Sequence, residues 1–249
     1  MTASATVPYP LPDRVVKVKT CALRTSGRTW PYAVANAAVI DAHWDRARVS
    51  NPGYFNGRVH LIDELQVEAS SLEARLLRTS FKSYLYWRDQ GYPPAGVLDG
   101  FGSALICSND DAFVLGRQRA GNINGGLTYL PGGFIDDRDV DGQGHIDIAA
   151  SIARELAEET GLTRFDVEPD AGFLITQTEA QVSIALRYRT ELNASALKAR
   201  IESHVASDPA SELADAIIVR GLDDIGGLAM PPYARVLVTS LFSTEGGNL

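Results

Sequence analysis

The sequence predicts a mixed α/β protein of the α+β kind. Short apolar runs bounded by Gly, Pro, Asn and Asp read as strands, and longer segments at helical spacing lie between them. The chain has 249 residues and 45% hydrophobic content. That is enough apolar surface for one large domain, or for two small ones each with its own core.

The elements follow in order. Residues 1–13 are Pro-rich and read as an irregular arm, and residues 14–19 (RVVKVK) alternate as a strand does. Residues 31–49 read as a helix that Asn51-Pro52-Gly53 breaks. Residues 58–68 and 72–78 read as paired strands. Thr79-Ser80 is a cap for a helix running to Gln90, and the turn Gly91-Tyr92-Pro93-Pro94 follows it. That turn is the expected boundary between an N-terminal α/β domain (1–95), serving substrate binding or dimer formation, and a second domain (96–249). Ser103–Cys107 and Ala112–Arg117 are apolar strands joined by the hairpin turn Asn109-Asp110-Asp111. A helix is expected from Asp147 to Thr160. Strands follow near 171–178 and 182–190, then a helix near 194–206, a strand at 216–220 and a final helix near 232–242.

Composition narrows the partners. The net charge is −8, so the chain has no bulk attraction for nucleic acid or an anionic membrane, and phosphate binding must be local or metal-mediated. Cys21 and Cys107 are far apart, lack a CxxC spacing and read as reduced core thiols. The first residues lack the apolar core of a signal peptide, and no apolar run reaches membrane-spanning length. A soluble, cytoplasmic protein is the expectation.

Residues 153–162, ARELAEETGL, carry the chemistry. Positions three and four apart on a helix share a face, so Glu155, Glu158 and Glu159 form one carboxylate cluster with Arg154 at its edge. Carboxylates held together repel unless a cation sits among them, and hard oxygens suit Mg²⁺ or Mn²⁺. Arg154 and Glu158 on a solvated helix, with the other two acids simply wet, is the alternative.

The segment resembles the Nudix box, whose core reads Arg-Glu-apolar-any-Glu-Glu-any-Gly-apolar. Arg154 to Leu162 matches every position, and Pro131-Gly132-Gly133 matches the glycine turn that opens the box. The resemblance implies an α/β/α sandwich for residues 96–249 and metal-dependent hydrolysis of a nucleoside diphosphate linked to another group. It makes Glu158 and Glu159 the main metal ligands and Glu155 a further ligand or the group that orients water. Arg154 then holds Glu155, a carbonyl at Gly132 or Gly133 adds a metal bond, and Leu156 and Leu162 anchor the core. The box departs from the pattern upstream. Twenty residues separate Gly133 from Arg154, seven more than the pattern has, and Ile146 stands where a glutamate is expected. Asp136, Asp137 or Asp147 could substitute. The insertion 136–144 reads as an acidic, flexible loop rather than a calcium loop, because it lacks the full ligand spacing.

Further candidates lie outside the box. Glu212 precedes a strand where many Nudix enzymes carry a distal acidic ligand or base; an exposed carboxylate is the equal alternative. Arg117 and Arg119 could face a diphosphate, and Tyr129 could stack on a base, with exposed charge and a half-buried strand tyrosine as the alternatives. The order of residues 41–57 and 77–90 resembles the animal Nudix hydrolases that cleave UDP-glucose and UDP-galactose. That resemblance implies cleavage of a UDP-sugar to UMP and sugar 1-phosphate, with Asn51, Phe55, Asn56 and Lys82 on the substrate side. ADP-ribose or another nucleotide diphosphate is the enzyme alternative. A non-catalytic nucleotide-sensing module is the alternative of a different class. A homodimer through the N-terminal domain is an expectation by analogy alone.

Overall fold

The first half of the chain builds a small sheet with helices on one side. The computed structural model describes residues 14–244, so the arm expected at 1–13 lies outside the described residues. β1 (Arg14–Val18) and β2 (Thr20–Thr25) lead to α1 (Pro31–Ala35) and α2 (Ala37–Ser50). The single helix expected over 31–49 is split at Asn36, whose side-chain amide donates to the Tyr32 carbonyl at 2.8 Å. Asn competes in this way with helical backbone bonding. β3 (Arg58–Val67) and β4 (Ser71–Ser80) then pair antiparallel. α3 (Phe81–Asp89) starts where the Ser80 side chain accepts from the Ser83 amide.

The second half begins with β5 (Asp99–Cys107) and β6 (Phe113–Gln118), joined by a turn in which Asp111 takes a φ of 58°. Two short strands follow, β7 (Thr128–Tyr129) and β8 (Gly132–Phe134), then a one-turn 3-10 helix at Asp137–Asp139 and β9 (His145–Ile146). α4 (Ile148–Thr160) comes next, then β10 (Glu168–Pro169), β11 (Phe173–Thr178) and β12 (Gln181–Arg189). α5 (Ala194–Ser207), β13 (Leu213–Val219), α6 (Leu222–Ile225) and α7 (Pro232–Thr244) complete the order.

Two sheets result. The larger runs β1-β11-β12-β5-β6-β13, with β7, β8 and β10 attached at its margins. β5 and β12 at its centre are parallel, and their nearly continuous burial is that of strands covered on both faces. Ile152 and Leu156 of α4 and Leu197 and Ile201 of α5 pack on one face, against Ala104, Ile106 and Ile184. Leu237, Val238 and Leu241 of α7 pack on the other, against Leu105, Leu115 and Ala185. This is an α/β/α sandwich.

The smaller sheet runs β3-β4-β2-β9. Strands cross between the two halves of the chain: β1 pairs with β11, and β9 pairs with β2 through Leu23 and Ile146. β9 lies in the segment inserted between Gly133 and Arg154. That segment is folded rather than flexible: Asp136 and Asp139 cap its 3-10 turn, and Asp141 accepts from the Gln143 and His145 amides, each at 2.8 Å. Among the described residues no helix is long and apolar enough to cross a membrane. Cys21 and Cys107 are not joined in a disulfide.

Candidate active site

α4 sets the site. Its N-terminus is capped by the Asp147 carboxylate, which accepts from the Ala150 amide at 3.0 Å. Its C-terminus ends at Gly161, whose φ of 71° favours glycine. Ile148, Ile152 and Leu156 recur every fourth residue as the buried stripe, and Glu159 continues it one turn on. Glu159 is therefore only 5% exposed. It accepts from the Gly132 amide at 2.8 Å. Burial, reinforced by Glu212, pushes its carboxyl well above the ordinary range, against the pull of that hydrogen bond.

Glu155 and Glu158 flank the stripe and line a cavity of about 400 Å³, together with Gly132, Gly133, Tyr129 and Glu212. Burial raises the Glu155 carboxyl above its ordinary value although Arg154 opposes the shift. Gly132 is required by space against the backbone, and Gly133 seats the Glu155 carboxylate. A Cβ at Gly132 would lie 2.2 Å from the Gly102 carbonyl, and one at Gly133 would lie 2.5 Å from Glu155 Oε2. β8 is thus wedged between β5 and the box carboxylates.

Two arginines hold this acidic face. Arg154 bonds Glu155 and lies 2.8 Å from Asp139 and 3.6 Å from Glu158. Arg138 is 3.5 Å from Glu158, 3.8 Å from Glu155 and 2.8 Å from Asp136. Among the described residues, no three His, Cys, Asp or Glu side chains converge on one cation position. The carboxylates supply hard oxygens suited to Mg²⁺ or Mn²⁺. Glu155 and Glu158 are the oxygens on the cavity wall that would hold a divalent cation, and Arg138 and Arg154 pair with both of them here.

The structure separates the other candidates. Tyr129 stands on the cavity wall, its hydroxyl 3.3 Å from the Asn124 side-chain amide. Glu212 is 3.5 Å from the Gln118 amide. Arg117 and Arg119 do not line the cavity. Arg117 pairs with Asp215, and Arg119 donates to the Pro209 carbonyl at 2.8 Å. Successive strand residues face opposite ways, so Gln118 between them is the residue that reaches the cavity. Of the N-terminal candidates, only Phe55 lines it, at the exposed mouth. Asn56 instead accepts from the Lys82 amide at 2.9 Å, Lys82 pairs with Asp41, and the Asn51 amide closes α2 on Ala47.

Ile146 is a core residue of β9. Of the three aspartates considered in its place, Asp147 caps α4, Asp137 pairs with Arg78, and Asp136 lines the cavity and pairs with Arg138, while Asp139, with a side chain 3% exposed, pairs with Arg154. Sequence reasoning passed over Asp139 and Arg138. Their signal was the alternation Asp136-Asp137-Arg138-Asp139, a capping pattern that places both near the box. Asp99, buried on the cavity wall, was also missed.

No family model matches the chain, and no curated protein matches it. Among solved structures it is similar to the MutT protein from Methanosarcina mazei Go1, at 22% identity over 61% of this chain and 96% of that one, with a TM-score of 0.41. It is also similar to a bifunctional NMN adenylyltransferase/ADP-ribose pyrophosphatase from Francisella tularensis, at 20% identity over 66% of this chain and 47% of that one, with a TM-score of 0.41. An Ap4A hydrolase from C. elegans matches at 14% identity over 61% of this chain and all of that one, with a TM-score of 0.39.

Proposed function

We propose that the chain is a metal-dependent Nudix-type hydrolase of a nucleoside diphosphate linked to a second group, with a UDP-sugar as substrate. The observation that carries this reading is the set of carboxylates at one cavity: Glu155 and Glu158 on α4, Glu159 behind them and Glu212 from a separate loop. A divalent cation at these oxygens would neutralise diphosphate charge and acidify a bound water.

The chain's own groups do the rest. Arg154, fixed by Asp139, holds Glu155 in place. The raised Glu155 carboxyl is suited to take a proton from the attacking water. Arg138 offers a guanidinium to the phosphate oxygens from the cavity side. Water oxygen bonds to one phosphorus, the bridging P–O bond breaks, and the bridging oxygen leaves with the other phosphate. The products are UMP and sugar 1-phosphate.

The test is product analysis with Mg²⁺ and a panel of UDP-glucose, ADP-ribose, NADH and a dinucleoside polyphosphate. UMP and glucose 1-phosphate from UDP-glucose alone support the reading. Turnover of a different member moves the substrate and keeps the enzyme. Binding without turnover of any member favours the sensor.

A further inference from the structure

The cavity is also lined by Asp99, at the start of β5 and only 2% exposed. Its Oδ2 accepts from the Tyr84 hydroxyl at 3.0 Å and from the Gln181 amide at 3.3 Å. Its Oδ1 is buried and has no hydrogen-bond partner. A buried carboxylate oxygen without a donor is costly, so proteins rarely keep one without a use. Burial pushes this carboxyl up to about 6, against the hydrogen bonds from Gln181, Tyr84 and Tyr92.

Nothing in the box chemistry needs Asp99. A carboxylate would repel the diphosphate, so it suits the part of the substrate that carries no charge. An ionised carboxylate also only accepts, so its partner must be a donor. Residues 99, 101 and 103 alternate onto one face of β5 and all line the cavity. They present a carboxylate and the flat ring of Phe101, while the Ser103 hydroxyl is held by that of Ser183 at 3.1 Å. The Tyr84 and Phe134 rings, 4.8 Å apart between centroids, complete the wall. Aromatic faces beside a mixed set of acceptors and hydroxyls match a sugar, whose hydroxyls both donate and accept.

We infer that Asp99 is a specificity-determining residue whose free Oδ1 accepts a hydrogen bond from a sugar hydroxyl of the substrate, on the nucleoside ribose or on the sugar beyond the diphosphate. The inference rests on the reading of the cavity as a nucleoside-diphosphate site.

The test is a hydroxyl-deletion series: kcat/KM of the wild-type protein and Asp99→Asn on UDP-glucose, on its 2′-deoxyribose analogue and on analogues lacking one glucose hydroxyl. One deletion should cost the wild type about 10–100-fold and cost Asp99→Asn almost nothing further, and which deletion does so separates ribose from glucose. The inference is overturned if no deletion costs the wild type more than about 3-fold, a result that does not depend on the variant folding. It is also overturned if N3-methylation of uracil, rather than a hydroxyl deletion, couples to Asp99→Asn. If UDP-glucose is not cleaved but another nucleotide of the panel is, the UDP-sugar reading fails alone, and the same series on that nucleotide decides Asp99. If nothing is cleaved, calorimetric binding of UDP-glucose and its analogues reads the same coupling, and absence of binding overturns it.

Discussion

Substituting Gly133 by Ala perturbs the site without changing any charge. The new Cβ would sit 2.5 Å from Glu155 Oε2 and 2.6 Å from its Cδ, where ordinary contact begins at 3.4 Å. The Glu155 carboxylate or β8 must therefore move by about 1 Å, a shift of the size that costs a positioned catalytic group roughly 10²-fold in rate. Gly133 does not have a φ in the left-handed region, and the crowded atoms are the far end of the Glu155 side chain, so the stability cost is small and the effect falls on the seating of that carboxylate. The assay pairs kcat/KM for UDP-glucose in Mg²⁺ with the thermal midpoint. Gly142→Ala is the control, because no atom lies within 4 Å of its added Cβ. A Gly133→Ala protein with wild-type rate would refute the close seating of Glu155 on the glycine turn.

Other substitutions read separate parts of the account. Glu159→Gln should lower kcat by about 10²–10³-fold while the fold persists, checked by steady-state kinetics beside circular dichroism. Asp139→Ala removes the 2.8 Å partner of Arg154 and should lower kcat/KM by about 10–100-fold, as loss of an outer-shell orienting group does; an unchanged rate would leave Arg154 without its assigned anchor. Leu156→Ala should cost about 2–5 kcal/mol in urea unfolding, since Leu156 is 1% exposed between α4 and the sheet. Asp99 titrates near 6 when folded against a reference of 3.8. Both states are protonated below the reference value, and the unfolded state ionises first as pH rises. Stability from this group is thus full below about pH 4 and is lost as pH climbs through 6, by at most roughly 3 kcal/mol. Tyr84, Tyr92, Arg88 and Tyr233 are the charged or titratable groups facing it. Asp99→Asn should flatten the melting midpoint between pH 4 and 7, and an unchanged slope would place that titration elsewhere.

Local rules made part of this fold readable. Ser80 capped α3, Asp147 and Gly161 bounded α4, and the Asn109-Asp110-Asp111 turn joined β5 to β6, each through chemistry confined to a few residues. β2 escaped because Thr20–Thr25 has little apolar pattern of its own and is buried by β4 and β9, which are far away in sequence. The insertion was misread for the same reason: His145–Ile146 is a strand only because Leu23 and Arg24 pair with it. At the site, periodicity gathered Glu155, Glu158 and Glu159 on one helix. It could not give the phase of β6, whose two faces are both largely buried, so Arg117 and Arg119 were considered where Gln118 stands. Asp99 had no local signal, since its meaning comes from Tyr84 and Gln181 meeting it across the fold.

The most direct measurement is turnover of UDP-glucose with and without Mg²⁺, in wild type and Glu159→Gln side by side, with both products quantified. The wild type should release equal amounts of UMP and glucose 1-phosphate in Mg²⁺, and none once the metal is chelated. The variant should lose nearly all product. Metal-independent turnover, or a variant as fast as the wild type, would contradict the role given to the box carboxylates.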